Sequence, residues 1–179
     1  EAGNSEAQYY LGEIYMNGSK DVYQNEELAW NWFRKAADQG HFLAMANLLV
    51  EDVFAKTNNQ TNLPTLDDID HDKTLNEVME KLVQHAEGNC CESLSLLGSF
   101  SLGGLTGEID LEKSALFYKR AMDLGDVQSK VMYAMVSSSL NNGSHEYQAL
   151  ETLLKEAFDT GSCPLAGLTL GRFHMRGDR

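Results

Sequence analysis

Five histidines (His41, His71, His85, His145, His174) and three cysteines (Cys90, Cys91, Cys163) are the residues of this sequence best suited to metal ligation or nucleophilic attack. A zinc helix needs two histidines four apart on one face, and no such pair occurs. An odd cysteine count without ligand spacing supports neither a disulfide framework nor a zinc site. A Cys-His nucleophile pair needs the two side chains in contact, and nothing in the sequence places them together. Asp68, Asp70 and Asp72 alternate as in a calcium loop, but that loop needs glycine at its sixth place and glutamate at its twelfth, where Lys73 and Met79 stand. Gly103, Gly104 and Gly107 lack the lysine of a phosphate cradle. Arg176-Gly177-Asp178 is an adhesion tripeptide in letters only, because Gly177 has a turn role. No catalytic residue, metal site or cofactor is assigned.

Composition narrows the field further. The 179 residues are 42% hydrophobic and 23% charged, with only two prolines, which describes one folded, helix-rich array. No apolar run approaches the ~18 residues of a membrane span, so membrane insertion of this segment is not expected. A formal net charge of -13 excludes nucleic acid, whose phosphates need clustered lysine and arginine, and favours solubility or a basic partner. Free thiols point to the cytoplasm or another reducing compartment. Sequons at Asn17, Asn59 and Asn142, all in turns or loops, keep glycosylation and the endoplasmic-reticulum lumen as the alternative.

The elements follow from periodicity. Ala7, Leu11 and Tyr15 lie four apart and stack on one helix face beside Gly12, and Asn17-Gly18-Ser19 ends that helix. Asn25 caps a second helix with Leu28, Ala29, Trp32, Phe33, Ala36 and Ala37 inward, stopping at Gly40. The hairpin cannot bury its own apolar surface, so it should recur. Ala44 opens a second unit in which Asp52 falls where Tyr15 was. A buried, unpaired carboxylate costs several kcal/mol, so Val53 or Phe54 is expected to turn inward by a register adjustment. Residues 56–72 read as an exposed loop and Thr74-Leu75-Asn76-Glu77 as a capping box. Ser93, Leu97, Gly98, Gly104, Asp110, Phe117, Tyr118, Ala121 and Gly125 restore the pattern. A fourth unit carries Val131, Met132, Met135 and Val136, then Leu150, Leu153, Leu154, Ala157 and Phe158, and a fifth opens with Ala166, Leu170 and Gly171. Units near 5–41, 42–90, 91–126, 127–162 and 163–179 give about four and a half repeats, with both ends expected to be cut from a longer array.

The first unit in particular resembles the Sel-one-like repeats, relatives of tetratricopeptide repeats with units of about 36 to 38 residues rather than about 34. That resemblance implies an all-α, right-handed α-solenoid of helix-turn-helix repeats and a non-enzymatic scaffold or adaptor that assembles a protein complex. A luminal adaptor of endoplasmic-reticulum quality control is one alternative, and an enzyme with a Cys-His or carboxylate site on the solenoid is another. In such stacks first helices line the concave side. With Ala7, Leu11 and Tyr15 turned to the second helices, the groove falls to Tyr9, Tyr10, Glu13 and Met16. Further on come Asn47 and Val50, then Ser95 and Ser99, then Val131, Met132 and Met135, and last Arg172 and Arg176. This mixed wall suits an extended peptide or a partner helix, basic or self-derived, with tyrosine as anchor and methionine as an adaptable contact.

Overall fold

The computed structural model describes residues 3–19, 21–57, 71–105, 107–140, 144–159 and 166–171, with side chains of 54–57, 71–72 and 144–148 left aside. Eight helices follow in order: α1 Ser5–Asn17, α2 Glu26–Ala37, α3 Phe42–Thr57, α4 His71–Glu87, α5 Cys91–Gly103, α6 Leu111–Asp123, α7 Val127–Leu140 and α8 Ser144–Asp159. Residues 166–171 form a further helical turn and a half, and no strand occurs among the described residues. The helices group into two compact units, Glu1–His85 and Ala86–Arg179.

Polar caps set the helix starts. Asn25 Oδ1 accepts the Leu28 amide at 3.0 Å and Asp110 Oδ1 accepts that of Lys113 at 2.9 Å, as expected at these two second helices. α1 and α7 use the residue after the turn glycine, Asn4 accepting from Glu6 N–H at 2.9 Å and Asp126 from Ser129 N–H at 2.8 Å, whereas Cys90 ahead of α5 makes no side-chain cap. His41 fills the same place, its Nδ1 accepting from Ala44 N–H at 3.3 Å. Gly18 and Gly104 end α1 and α5 with φ of 72° and 68°, the left-handed backbone that a side chain at either place would strain.

In the first unit the inward arc of α1 is Tyr9 and Gly12, not Ala7, Leu11 and Tyr15. Ala7 is exposed and the other two are half-buried. The reason is the ring of Phe33, which lies against Gly12 and 5.6 Å from the Tyr9 ring; burying two aromatics outweighs burying one alanine. On α2 the inward set is Ala29, Trp30, Phe33, Ala36 and Ala37. Leu28 is exposed and Trp32 half-buried, its ring carrying the Lys35 ammonium 4.1 Å above it. The expected register shift in α3 does not occur. The helix is continuous and Asp52 itself is buried and not without an interaction, while Val53 is half-buried and the side chain of Phe54 lies outside the described residues. α4 starts at His71, so Thr74 lies inside the helix rather than capping it. Its buried stripe is Val78, Leu82 and Ala86. Residues 58–70, the body of the expected loop, lie outside the described residues.

In the second unit Tyr118 stands at Phe33's place with its ring against Gly98, and Ser114 Oγ donates to Gly98 O at 2.9 Å, joining α6 to α5. Val136 of α7 packs with Ala115 and Tyr118 of α6. Val131, Ala134, Leu150, Leu154, Ala157 and Ala166 form the next cluster. Phe158, expected inside, is more than half exposed.

Candidate functional site

Among the described residues no three His, Cys, Asp or Glu side chains gather in a way that could hold a metal ion. Cys90 and Cys91 are free thiols, and burial, with Glu92 next in effect, pushes the Cys91 thiol above its ordinary range, which makes it a poorer nucleophile. His41 is committed to structure. Its ring stacks on Tyr9 at 4.6 Å, and with Nδ1 accepting from Ala44, Nε2 donates to Glu6 Oε2 at 3.0 Å. His85 is exposed beside Phe42, while His174, Cys163 and the side chains of His71 and His145 lie outside the described residues.

The exposed surface of the first helices is therefore the candidate, and the repeat period sorts its residues by position. Tyr9, Ser95 and Val131 share one position. Tyr9 is 3% and Val131 0% exposed, so neither forms part of an open wall. That position faces inward because the neighbouring second helix needs a packing partner there, as the Tyr9–Phe33 contact shows. Ser95 is half-buried. Tyr10, Asn47 and Met132 share the next position. Tyr10 is 51% exposed, Asn47 donates to Leu43 O at 2.9 Å, and Met132 packs onto the Ala115–Tyr118–Val136 cluster.

A third position behaves alike in the four repeats where it is described: Glu13, Val50, Ser99 and Met135 are all half-buried. Glu13 Oε2 accepts from Asn17 Nδ2 at 3.2 Å, and Ser99 Oγ shares a 2.8 Å hydrogen bond with the Tyr118 hydroxyl. Three residues further on, Met16 recurs as Val53, Leu102 and Ser138, again all half-buried. These last three were missed from sequence, although the spacing of 37 and 36 residues that links Glu13 to Val50 and Ser99 to Met135 reaches them too. Arg172 and Arg176 lie outside the described residues, as do Asn59 and Asn142, whereas Asn17 is exposed at the end of α1.

The second unit also holds an open depression at the α5–α6 turn, where Glu108, Asp110 and Glu112 face one lysine, Lys113, beside Ile109 and Leu140. Asp110 is already engaged as the α6 cap.

Comparison with known proteins agrees with this geometry. The Sel1 repeat family model matches residues 5–41 and 91–126. A 58-residue stretch is 45% identical to chitin synthase regulatory factor 2 of Schizosaccharomyces pombe (strain 972 / ATCC 24843), covering 30% of this chain and 11% of that protein. Among solved structures, a protective antigen of uropathogenic Escherichia coli displaying an SLR fold aligns over 97% of this chain and 34% of its own, with TM-score 0.52 and 21% identity. A Sel1 repeat protein from Oxalobacter formigenes aligns over 94% and 63%, with TM-score 0.49 and 20% identity. The chain thus spans about a tenth of the curated relative and about a third of the first structure. The fold is the all-α, helix-turn-helix repeat solenoid of the SLR class. The two matched stretches are built on the same glycine-to-ring contact, Gly12 with Phe33 and Gly98 with Tyr118, and each is similar to the Sel1 repeat.

Proposed function

We propose that this chain is a non-enzymatic adaptor that holds a protein or peptide partner on the half-exposed face of its first helices. The observation that carries this is the contrast between two kinds of repeat position. Inward positions of the second helices stay small, as Ala29 and Ser114 do at one place and Ala36 and Ala121 at another. The position of Glu13, Val50, Ser99 and Met135 stays half-exposed while its chemistry changes from acidic to aliphatic to hydroxyl to thioether. Within each unit two such side chains recur at the repeat spacing, Glu13 with Val50 and Ser99 with Met135, and side chains so spaced can read an extended or helical ligand. With a net charge of -13 the partner is expected to be basic, and the complex weaker at high salt. The likeness to a regulatory factor, confined to part of the chain, fits a role without catalysis.

A photo-crosslinking residue at position 13 or 50 of the intact protein, expressed in its own cells, should give the same adduct from either site. Glu13→Lys should weaken that complex about tenfold or more, the equivalent of about 1.4 kcal/mol, with unchanged thermal unfolding, and Val50→Lys should weaken it likewise. Unaltered affinity in both variants would refute the reading. The luminal alternative is favoured only by the exposed sequon asparagine Asn17. An endoglycosidase shift that disappears in Asn17→Gln would establish it, and an unshifted band from cells would remove it.

A further inference from the structure

The depression at the α5–α6 turn has a volume of about 550 Å³, within the range of about 300 to 1,000 Å³ common to ligand pockets. The first unit shows what is missing there. Asn25 N–H donates to Tyr15 O at 2.8 Å and Asp110 N–H to Ser101 O at 3.0 Å, so Ser101 holds the place of Tyr15. Tyr15 sets a half-buried ring at that point, whereas the Ser101 hydroxyl folds back to donate to Leu97 O at 3.0 Å and adds no bulk. Two apolar side chains that line the depression stay wet, Ile109 at 65% and Leu140 at 37% exposed. Of its three carboxylates, Asp110 caps α6, while Glu108 and Glu112 make no hydrogen bond or ion pair among the described residues.

We propose that this depression seats an arginine side chain from an extended segment of a partner protein, its stem on Ile109 and Leu140 and its guanidinium between Glu108 and Glu112. Charge complementarity selects the occupant, since three carboxylates outnumber the single ammonium of Lys113 along the lining. The apolar pair selects a cation with a hydrocarbon stem over a bare one. A metal ion fits poorly, because no three ligating side chains gather among the described residues. Arginine suits the site better than lysine, as five donors in a planar fork serve two carboxylates at once. A second copy is a poor occupant, because two chains of charge -13 repel. The residues differ from those of the first-helix face, so this site stands or falls apart from the adaptor reading.

The probe is the capped tripeptide acetyl-Ala-Arg-Ala-amide, titrated into the full chain at physiological salt and followed by the methyl resonances of Ile109 and Leu140. Those resonances should shift and saturate at millimolar peptide. Affinity should fall about tenfold when citrulline, of the same shape without the charge, replaces arginine, and about tenfold in the paired variant Glu108→Gln with Glu112→Gln. Ser101→Tyr, which restores the ring, should abolish the shifts. Should that ring unfold the unit, the paired variant on two exposed residues still decides the matter. Equal binding of the citrulline peptide overturns the proposal, as does an equal loss in Glu26→Gln with Glu27→Gln at the start of α2, which would mark unspecific attraction. Butylguanidinium binding more tightly than the peptide overturns a protein segment as the source. A concentration-dependent dimer of the unmodified chain that the paired variant abolishes overturns it in favour of a second copy.

Discussion

Replacing Gly12 by alanine would place a Cβ 2.5 Å from Phe33 Cε1, 2.6 Å from Cδ1 and 3.0 Å from Cζ. Carbon atoms rest about 3.5 to 4.0 Å apart, so the ring must withdraw by about 1 Å. It has little room, being 1% exposed and held between Tyr9 at 5.6 Å and Trp30 at 5.5 Å. Alanine gains about 1 kcal/mol over glycine inside a helix, and overpacking a fixed core costs about 1 to 3 kcal/mol. With the ring confined, the cost lies at the top of that range and the net loss is about 2 kcal/mol. At Gly98 the nearest approach is 2.9 Å, to Tyr118 Cε1, so the two terms nearly cancel and a loss below about 1 kcal/mol is expected. At Gly167 the approach is again 2.9 Å, but Phe158 is 55% exposed and can swing aside, so alanine there should be neutral or stabilising. Urea unfolding followed by fluorescence reads the first variant directly, because both tryptophans, Trp30 and Trp32, lie on the helix that carries Phe33. Far-ultraviolet circular dichroism reads the other two. A Gly12→Ala protein as stable as the parent, or a series in which Gly167→Ala is the most damaging, would refute the packing argument. In the Gly12→Ala background, Phe33→Leu should cost less than it does in the parent.

Three further outcomes follow from single groups. Ser129 is 0% exposed and its hydroxyl has no hydrogen-bond partner, while its equivalents Ala7, Ala44 and Ala166 are alanines and Ser93 donates to Cys90 Sγ, so Ser129→Ala should raise stability by about 1 kcal/mol in a denaturant titration. Burial, and then the nearby Glu26 charge, raise the Glu51 carboxyl above its ordinary value of 4.5. The folded state then holds that proton more tightly than the unfolded chain, so the ionised group subtracts stability at neutral pH and the loss fades as pH falls towards 4.5. Glu51→Gln should accordingly be more stable than the parent at pH 7, with the two converging in acid, as a pH series of melting curves will show. Burial pushes the Tyr118 hydroxyl up to about 12, despite its bond to Ser99, from an ordinary 10.0. Its contribution is complete below pH 10.0 and is lost as pH rises through about 12, so tyrosinate absorbance from this residue should appear together with unfolding, and Tyr118→Phe should remove that step.

Element identity was legible in the sequence because local chemistry determines it. Asn25 and Asp110 cap second helices, Gly18 and Gly104 take the left-handed backbone that ends first helices, and the spacing of about 36 residues carries the hairpin down the chain. Facing was less legible. Ala7, Leu11 and Tyr15 recur at a helical interval, yet the inward arc of α1 is fixed by Phe33, a residue more than twenty places away. The same shift carried Tyr9 and Val131 out of the candidate surface, since a one-position error on a helix turns a side chain by about 100°. Asp52 shows a different limit. Burying a bare carboxylate is costly, but whether a buried aspartate finds an interaction is a tertiary fact that no spacing encodes.

The places where the repeat signature is strong and weak have one physical origin. In the stretches that match the family model, glycine on the first helix lies under an aromatic ring of the second: Gly12 under Phe33 and Gly98 under Tyr118, each closer than any Cβ would allow. Leu49 and Ala134 hold the same place in the second and fourth units and are themselves buried, at 3% and 0% exposed. Any Cβ at that place excludes a ring seated as those of Phe33 and Tyr118 are, since their atoms lie 3.0 Å or less from where a Cβ would stand, so the remaining signature residues lose the contact that selected them. Ser114 illustrates the converse. It stands where Ala29 stands in the first unit, and its hydroxyl reaches the Gly98 carbonyl only because the glycine lets the two helices approach. Decay of the motif is thus a coupled event at one helix crossing, and a unit that loses its glycine is free to change the rest of its inner face without giving up the hairpin.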